Sequence, residues 1–97
     1  MSYSFHPEAA TEYATNVAFY KSLNTGLGTR FHKAVKAVIA NACKSPALYR
    51  IASPPDIRRA TIQGFPYTLI FREVSGNIQI LAIAHHRRHP LYWLNRC

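Results

Sequence analysis

Apolar residues in this 97-residue sequence recur at helical spacing as far as Ala42 and at strand spacing from Ile57 onward, with a proline-rich break between. That change of period restricts the fold more than any other feature, because it separates helices from strands along the chain. In the first half, Pro7 and Glu8 mark a helix start: proline pre-sets the first turn and glutamate favours the positive end of the helix dipole. Ala10, Tyr13, Ala14, Val17 and Tyr20 then give an apolar stripe that runs to about Leu23. Asn24-Thr25-Gly26 supplies turn residues and a capping hydroxyl, after which Leu27, Phe31, Ala34, Val35, Val38, Ile39 and Ala42 define a second helix. Arg30, Lys33, Lys36 and Lys44 fall off this stripe and read as a basic, solvated face.

Ser45 to Pro55 contains three prolines and reads as a loop. Beyond it lie three apolar runs, Ile57 to Ile62, Tyr67 to Val74 and Ile78 to Ala84, separated by Gln63-Gly64-Phe65-Pro66 and Ser75-Gly76-Asn77. Such short connections permit antiparallel hairpins and leave no room for crossover helices. The third run is apolar at nearly every residue, which predicts a central strand covered on both faces, by the helix pair on one side. With the short alternating segment Tyr3 to Phe5 in front, the pattern is β-α-α-β-β-β. The expected fold is one α+β domain over residues 1–97, a helical hairpin packed on a twisted antiparallel sheet, with a short C-terminal helix or tail after Pro90.

Hydrophobic residues make up 48% and charged residues 16% of the chain, a balance that folds rather than one that stays disordered. Twelve Lys and Arg face four acids, for a formal charge of +8, which implies a polyanionic or acidic partner. Six of the arginines lie between Arg50 and Arg88, and arginine makes planar, bidentate contacts with phosphate or carboxylate. The apolar runs are too short to cross a membrane and no basic, then apolar, leader opens the chain, so a cytoplasmic protein is expected. Cys43 and Cys97 have no metal or redox spacing; Cys43 reads as core and Cys97 as a frayed end.

The order and spacing of several short pieces resemble the ParE/RelE toxin superfamily, closest to the ParE branch. The pieces are Ala10, Tyr13 and Tyr20; Gly26-Leu27-Gly28 with Arg30-Phe31; Ser45-Pro46 to Tyr49; Ile57-Arg58-Arg59; Phe65-Pro66-Tyr67 with Ile70 and Phe71; and Ala82 to Trp93 with His85, Arg87, Arg88 and Pro90. The resemblance implies the fold inferred above and a plasmid-stabilising type of toxin–antitoxin pair, in which an acidic antitoxin wraps the toxin. It implies either inhibition of DNA gyrase by binding, as in ParE-like members, or cleavage of ribosome-bound message, as in RelE-like members. A non-toxic basic module that binds nucleic acid is a third reading.

An endoribonuclease needs a base for the 2′-hydroxyl, a cation for the phosphorane and an acid for the leaving oxygen, and His85, His86 and Tyr92 are the catalytic candidates. The plainer alternative is that this basic segment pairs with antitoxin carboxylates and that His85 is a satisfied strand-end residue. RelE-like nucleases bring lysines and arginines together on the sheet with a tail tyrosine, whereas this chain has no Lys beyond Lys44, and arginine does not serve as a base at neutral pH. A binding toxin without cofactor or metal is therefore expected. Its target-binding residues would be Arg72, Arg87, Arg88 and Trp93, and its antitoxin-binding residues Arg58, Arg59 and Arg87. Strand alternation sends Arg58 and Arg59 to opposite faces, places Arg72 with Ile70 and Thr68, and puts Glu73 with Phe71 in a buried contact with an arginine. His85-His86-x-x-His89 lacks supporting Cys or acidic ligands for zinc, and Trp93, between Leu91 and Leu94, reads as an anchor for the tail.

Overall fold

The computed structural model describes residues 1–96. Strand β1 (Tyr3–Phe5) leads into helices α1 (Pro7–Leu23) and α2 (Thr25–Lys44). The His6 ring caps α1 by accepting the Glu8 amide through Nδ1 at 3.1 Å. Asn24 alone separates the helices: its amide donates to the Tyr20 carbonyl, closing α1, and its side chain accepts the Leu27 amide, opening α2. The cap is thus the Asn24 amide oxygen and not a hydroxyl. So short a connection forces the helices together, and Gly28 makes this possible, since a Cβ there would stand 3.0 Å from the Lys21 Cα.

The α2 stripe buries as its spacing requires, through Phe31, Val35, Val38, Ile39 and Ala42. The stripe of α1 is rotated from its expected position. Ala9 is buried, Tyr13, Val17 and Tyr20 pack against the core, and Ala10 and Ala14 face solvent. Glu12 lies on the inner edge of this stripe, so a polar residue shares the packed face and the apolar periodicity underestimates its width.

The sheet has the order β1-β5-β4-β3-β2, with β2 at Arg50–Ser53, β3 at Ile57–Thr61, β4 at Tyr67–Val74 and β5 at Asn77–His85. Pairs β2–β3, β3–β4 and β4–β5 are antiparallel, whereas β1 lies parallel to β5. The sheet is therefore mixed: most of the chain intervenes between β1 and β5, ample length for a parallel return. Strand β2 forms inside the stretch expected to be loop. It is a four-residue edge strand between a single 3₁₀ turn (Pro46–Leu48) and Pro54-Pro55, and edges tolerate flanking prolines. The β4–β5 hairpin turns on Ser75 and Gly76, both at positive φ, as a two-residue turn matching strand twist requires.

Strand β5 is central and covered on both faces. Ile70 pairs with Ala82 and Phe71 with Ile80, leaving Leu81 as the extra residue of a β-bulge. The bulge switches the alternation: Ile78, Ile80 and Ile83 face the helices with Leu69 and Phe71, while Leu81 and Ala82 face the other way with Ile57, Ile70 and Trp93. The unbroken apolar run Ile78 to Ala84 is thus two alternating patterns joined out of phase. On the helix side, Tyr20, Phe31, Phe65 and Tyr67 close the core with ring centroids 5.0–6.3 Å apart, pairs worth roughly 0.5–1.5 kcal/mol each beyond area burial. Cys43 is half-buried against the same core; Cys97 lies outside the described residues.

Candidate functional site

After His85 the chain leaves β5 and folds back across the helix-free face of the sheet. The His86 amide donates to the Pro66 carbonyl at 2.9 Å and the Arg88 amide to the His85 carbonyl at 3.0 Å, turning the tail sharply. Leu91 takes positive φ, and a 3₁₀ turn follows at Leu94–Arg96. Trp93, 4% exposed, pins this tail to Ile57, Ile70, Leu81 and Ala82. It is the anchor its flanking leucines suggested, so its indole is not available at the surface.

Between the tail and the sheet lies a cleft of about 400 Å³. Its floor includes Ile70, Ala84 and Trp93, and its walls bring together Arg59, His85, His86, Arg88, His89 and Tyr92. Among the described residues no carboxylate lines it. Arg58 projects to the opposite face, where Nη1 donates to the Tyr49 carbonyl at 2.7 Å, so alternation separates it from Arg59 as expected. Arg72 shares the cleft's face but lies outside the lining, its Nε donating to Gln79 Oε1 at 3.0 Å. Arg87 is exposed on the tail. Glu73 is exposed too, and the expected buried contact with an arginine does not form, because the strand-end position leaves it in solvent.

The three histidines have separate partners. His85 Nδ1 accepts the Arg87 amide at 3.0 Å while its ring meets Tyr67 edge to face. His86 Nε2 lies 3.1 Å from Thr68 Oγ1, and His89 Nδ1 lies 2.9 Å from the Pro90 carbonyl. Among the described residues no three His, Cys, Asp or Glu side chains converge on a point that would hold a metal ion.

The paired carboxylate in this region is Glu12, which the apolar pattern of α1 did not single out. Strand β1 ends at Phe5, opposite Ile80, so further along β5 the Leu81 carbonyl and Ile83 amide have no strand beside them. Side chains take over the ladder. Glu12 Oε1 accepts the Ile83 amide at 3.1 Å, and Arg96 Nη1 donates to the Leu81 carbonyl at 2.8 Å. Arg96 and Glu12 are joined twice, Nη1 to Oε1 at 3.0 Å and Nη2 to Oε2 at 2.9 Å, a bidentate pair with side chains only 9% and 15% exposed. Glu8 adds a looser contact to Arg96 at 3.6 Å. The hydrogen bonds to Glu12 hold the Arg96 guanidinium above its ordinary pKa. The sequence signal for this pair was slight, one of only four acids in the first helix and an arginine near the end of the tail.

Tyr92 joins the two sites. Its ring lines the cleft, while its hydroxyl points away and donates to Glu12 Oε2 at 2.7 Å. Burial, then the bond to Glu12, pushes its phenol well above the ordinary tyrosine pKa. The Arg88 guanidinium lies 3.9 Å from the centroid of this ring and that of Arg96 5.1 Å. Tyr92 therefore acts on its neighbours as a fixed platform rather than as a free acid.

Among the described residues no helix is long and apolar enough to cross a membrane. The sequence matches the family described as the ParE toxin of type II toxin-antitoxin system, parDE, over residues 3–90. No curated protein sequence matches it. Among solved structures, it is similar to a chain described as the chromosomal ParDE TA system from P. aeruginosa, with a TM-score of 0.62 and 23% identity, covering 88% of this chain and 95% of that one. That likeness concerns the fold; the helical hairpin and the sheet lie within the stretch matched by the family, which ends at Pro90, partway along the tail. The chain belongs to the ParE toxin family of type II toxin–antitoxin systems.

Proposed function

We propose that this chain is a toxin that inhibits DNA gyrase by binding it, and that an acidic antitoxin neutralises it. The observation that carries a binding mechanism is the state of Tyr92. Its proton is committed to Glu12 and its pKa raised, so it is poorly placed to protonate a leaving group, and among the described residues the adjacent cleft offers no carboxylate as a base. Arg59, Arg87 and Arg88, by contrast, form no ion pair among the described residues and remain free to meet an acidic surface.

The antitoxin reading rests on edges and charge. Strand β2 leaves one side of Arg50–Ser53 open to strand addition, with Ile51 and Leu48 exposed beside it, and Phe19 and Leu23 are exposed on the helical hairpin. Arg59 and Arg87 would meet antitoxin carboxylates. Arg58 would contribute mainly through the Tyr49 carbonyl it already holds.

One observation favours a second reading, a ribosome-dependent endoribonuclease: His85, His86 and His89 line the same cleft as Arg59 and Arg88. Purified chain should be tested in parallel for inhibition of gyrase supercoiling and for cutting of ribosome-bound message. Inhibited supercoiling with intact message, relieved by the antitoxin, is the expected result. Cut message that disappears on changing one histidine, with supercoiling unaffected, would replace gyrase by the ribosome.

A further inference from the structure

We propose that Glu12 of the first helix is a positioning residue for the target-binding tail, working with Arg96 to hold Arg88 at the rim of the cleft. The inference rests on the reading that the tail meets the target, and concerns residues outside the cleft itself.

The tail is tied down at both ends. At its start the His86 amide is bonded to Pro66, and at its end Arg96 reaches α1 and β5 together. Between these ties, Arg88 leaves the chain as an exposed side chain with no carboxylate partner among the described residues. What fixes its guanidinium is the face of Tyr92, 3.9 Å away, and what fixes Tyr92 is the bond from its hydroxyl to Glu12. Placement therefore passes from Glu12 to Tyr92 to Arg88.

All the acceptor capacity of Glu12 is used. Oε1 takes the Ile83 amide and Arg96 Nη1; Oε2 takes the Tyr92 hydroxyl and Arg96 Nη2. Glutamine has the same size but one acceptor oxygen, and its amide would set N–H donors against the donors of Tyr92 or Arg96. It would also leave a largely buried guanidinium with only the looser contact to the exposed Glu8 as counter-charge, an unfavourable state. The tail then gains more by releasing Arg96 to water than by staying docked. Depopulating the docked conformation forfeits what Arg88 contributes to target binding, at most as much as removing Arg88 itself, without loss of any residue that touches the target.

The test uses the full chain with Glu12→Gln, Arg96→Met, Arg88→Ala and the doubles Glu12→Gln/Arg96→Met and Glu12→Gln/Arg88→Ala. Two quantities are measured: amide hydrogen exchange across residues 86–96 and across β4, and the concentration giving half-inhibition of supercoiling. Each clamp variant should speed exchange in the tail about tenfold and raise the half-inhibiting concentration by no more than Arg88→Ala does, leaving β4 unchanged. The clamp double should match its singles. Glu12→Gln should add nothing in the Arg88→Ala background, whereas a merely structural role predicts additive losses.

A protected tail in Glu12→Gln, additive losses with Arg88→Ala, or failure of both clamp variants to fold would each overturn the proposal. Should the wild-type chain leave supercoiling untouched, the gyrase reading fails. The tail exchange and the same comparisons made on growth arrest still decide the role of Glu12.

Discussion

Trp93→Ala probes whether the tail belongs to the cooperative core. Trp93 is 4% exposed against Ile57, Ile70, Leu81 and Ala82. A buried aromatic removes ~150–250 Å² from water, which at ~25 cal/mol/Å² amounts to about 4–6 kcal/mol. Aromatic-to-alanine changes in cores cost ~3–5 kcal/mol. The low end applies here, because Trp93 sits on a tail that can shift toward the sheet and close part of the cavity. A loss of about 3 kcal/mol is a large share of the ~5–15 kcal/mol of a domain of this size, and lowers Tm by roughly 12–24 °C. Trp93 is the only tryptophan, so unfolding must be followed by circular dichroism rather than by fluorescence. Leu94→Ala, at a neighbouring exposed site, serves as the control and should change stability by no more than about 0.5 kcal/mol. A loss below about 1 kcal/mol for Trp93→Ala would refute the reasoning, since the helix-free face would then not be a second core layer.

Gly28→Ala should destabilise by about 1 kcal/mol in urea unfolding despite alanine's better helix propensity, because the new methyl meets the Lys21 backbone at 3.0 Å and the one-residue connection prevents the helices from separating. Leu91→Gly should raise stability by up to about 1 kcal/mol, since Leu91 is 45% exposed and holds a φ of 65° that glycine adopts without strain. Burial, then a bond with Tyr20, pushes Tyr67 up to about 12, and Tyr92 is raised as well. The folded chain keeps protons that the unfolded chain releases near pH 10, so stability is full below pH ~10 and falls as pH rises toward about 12. Phenolate absorbance should show these tyrosines ionising together with loss of the circular-dichroism signal. Arg59→Glu and Arg87→Glu should each weaken the antitoxin complex and flatten its salt dependence, measured by titration at two ionic strengths.

Local rules made most elements legible. The helix start at Pro7, the stripe of α2, the boundaries of β4 and the Ser75-Gly76 turn all follow from propensities and spacings that act over a few residues. The facing of Arg58, Arg59 and Arg72 followed in the same way, because alternation in β3 and β4 is uninterrupted. The histidines, Arg88 and Trp93 were recognisable as a group because they are contiguous in the chain, and the cleft brings most of them to one wall.

Other features depended on contacts between distant parts of the chain. The facing of β5 could not be read from alternation, since the bulge at Leu81 arises in its pairing with β4. Strand β2 owes its hydrogen bonds to β3, and β1 lies parallel to β5 because of where the helical hairpin returns the chain. The rotation of α1 and the pairing of Glu12 with Arg96 across 84 positions share one cause. Strand β1 ends before β5 does, and buried backbone groups left without a strand must be satisfied by whatever side chains the fold brings beside them. The sequence alone therefore determined both helices, the strands other than β2, and where the basic residues cluster along the chain. The tertiary structure alone decided that a glutamate on the first helix holds the tail in place, because the need for that carboxylate exists only once the sheet is assembled.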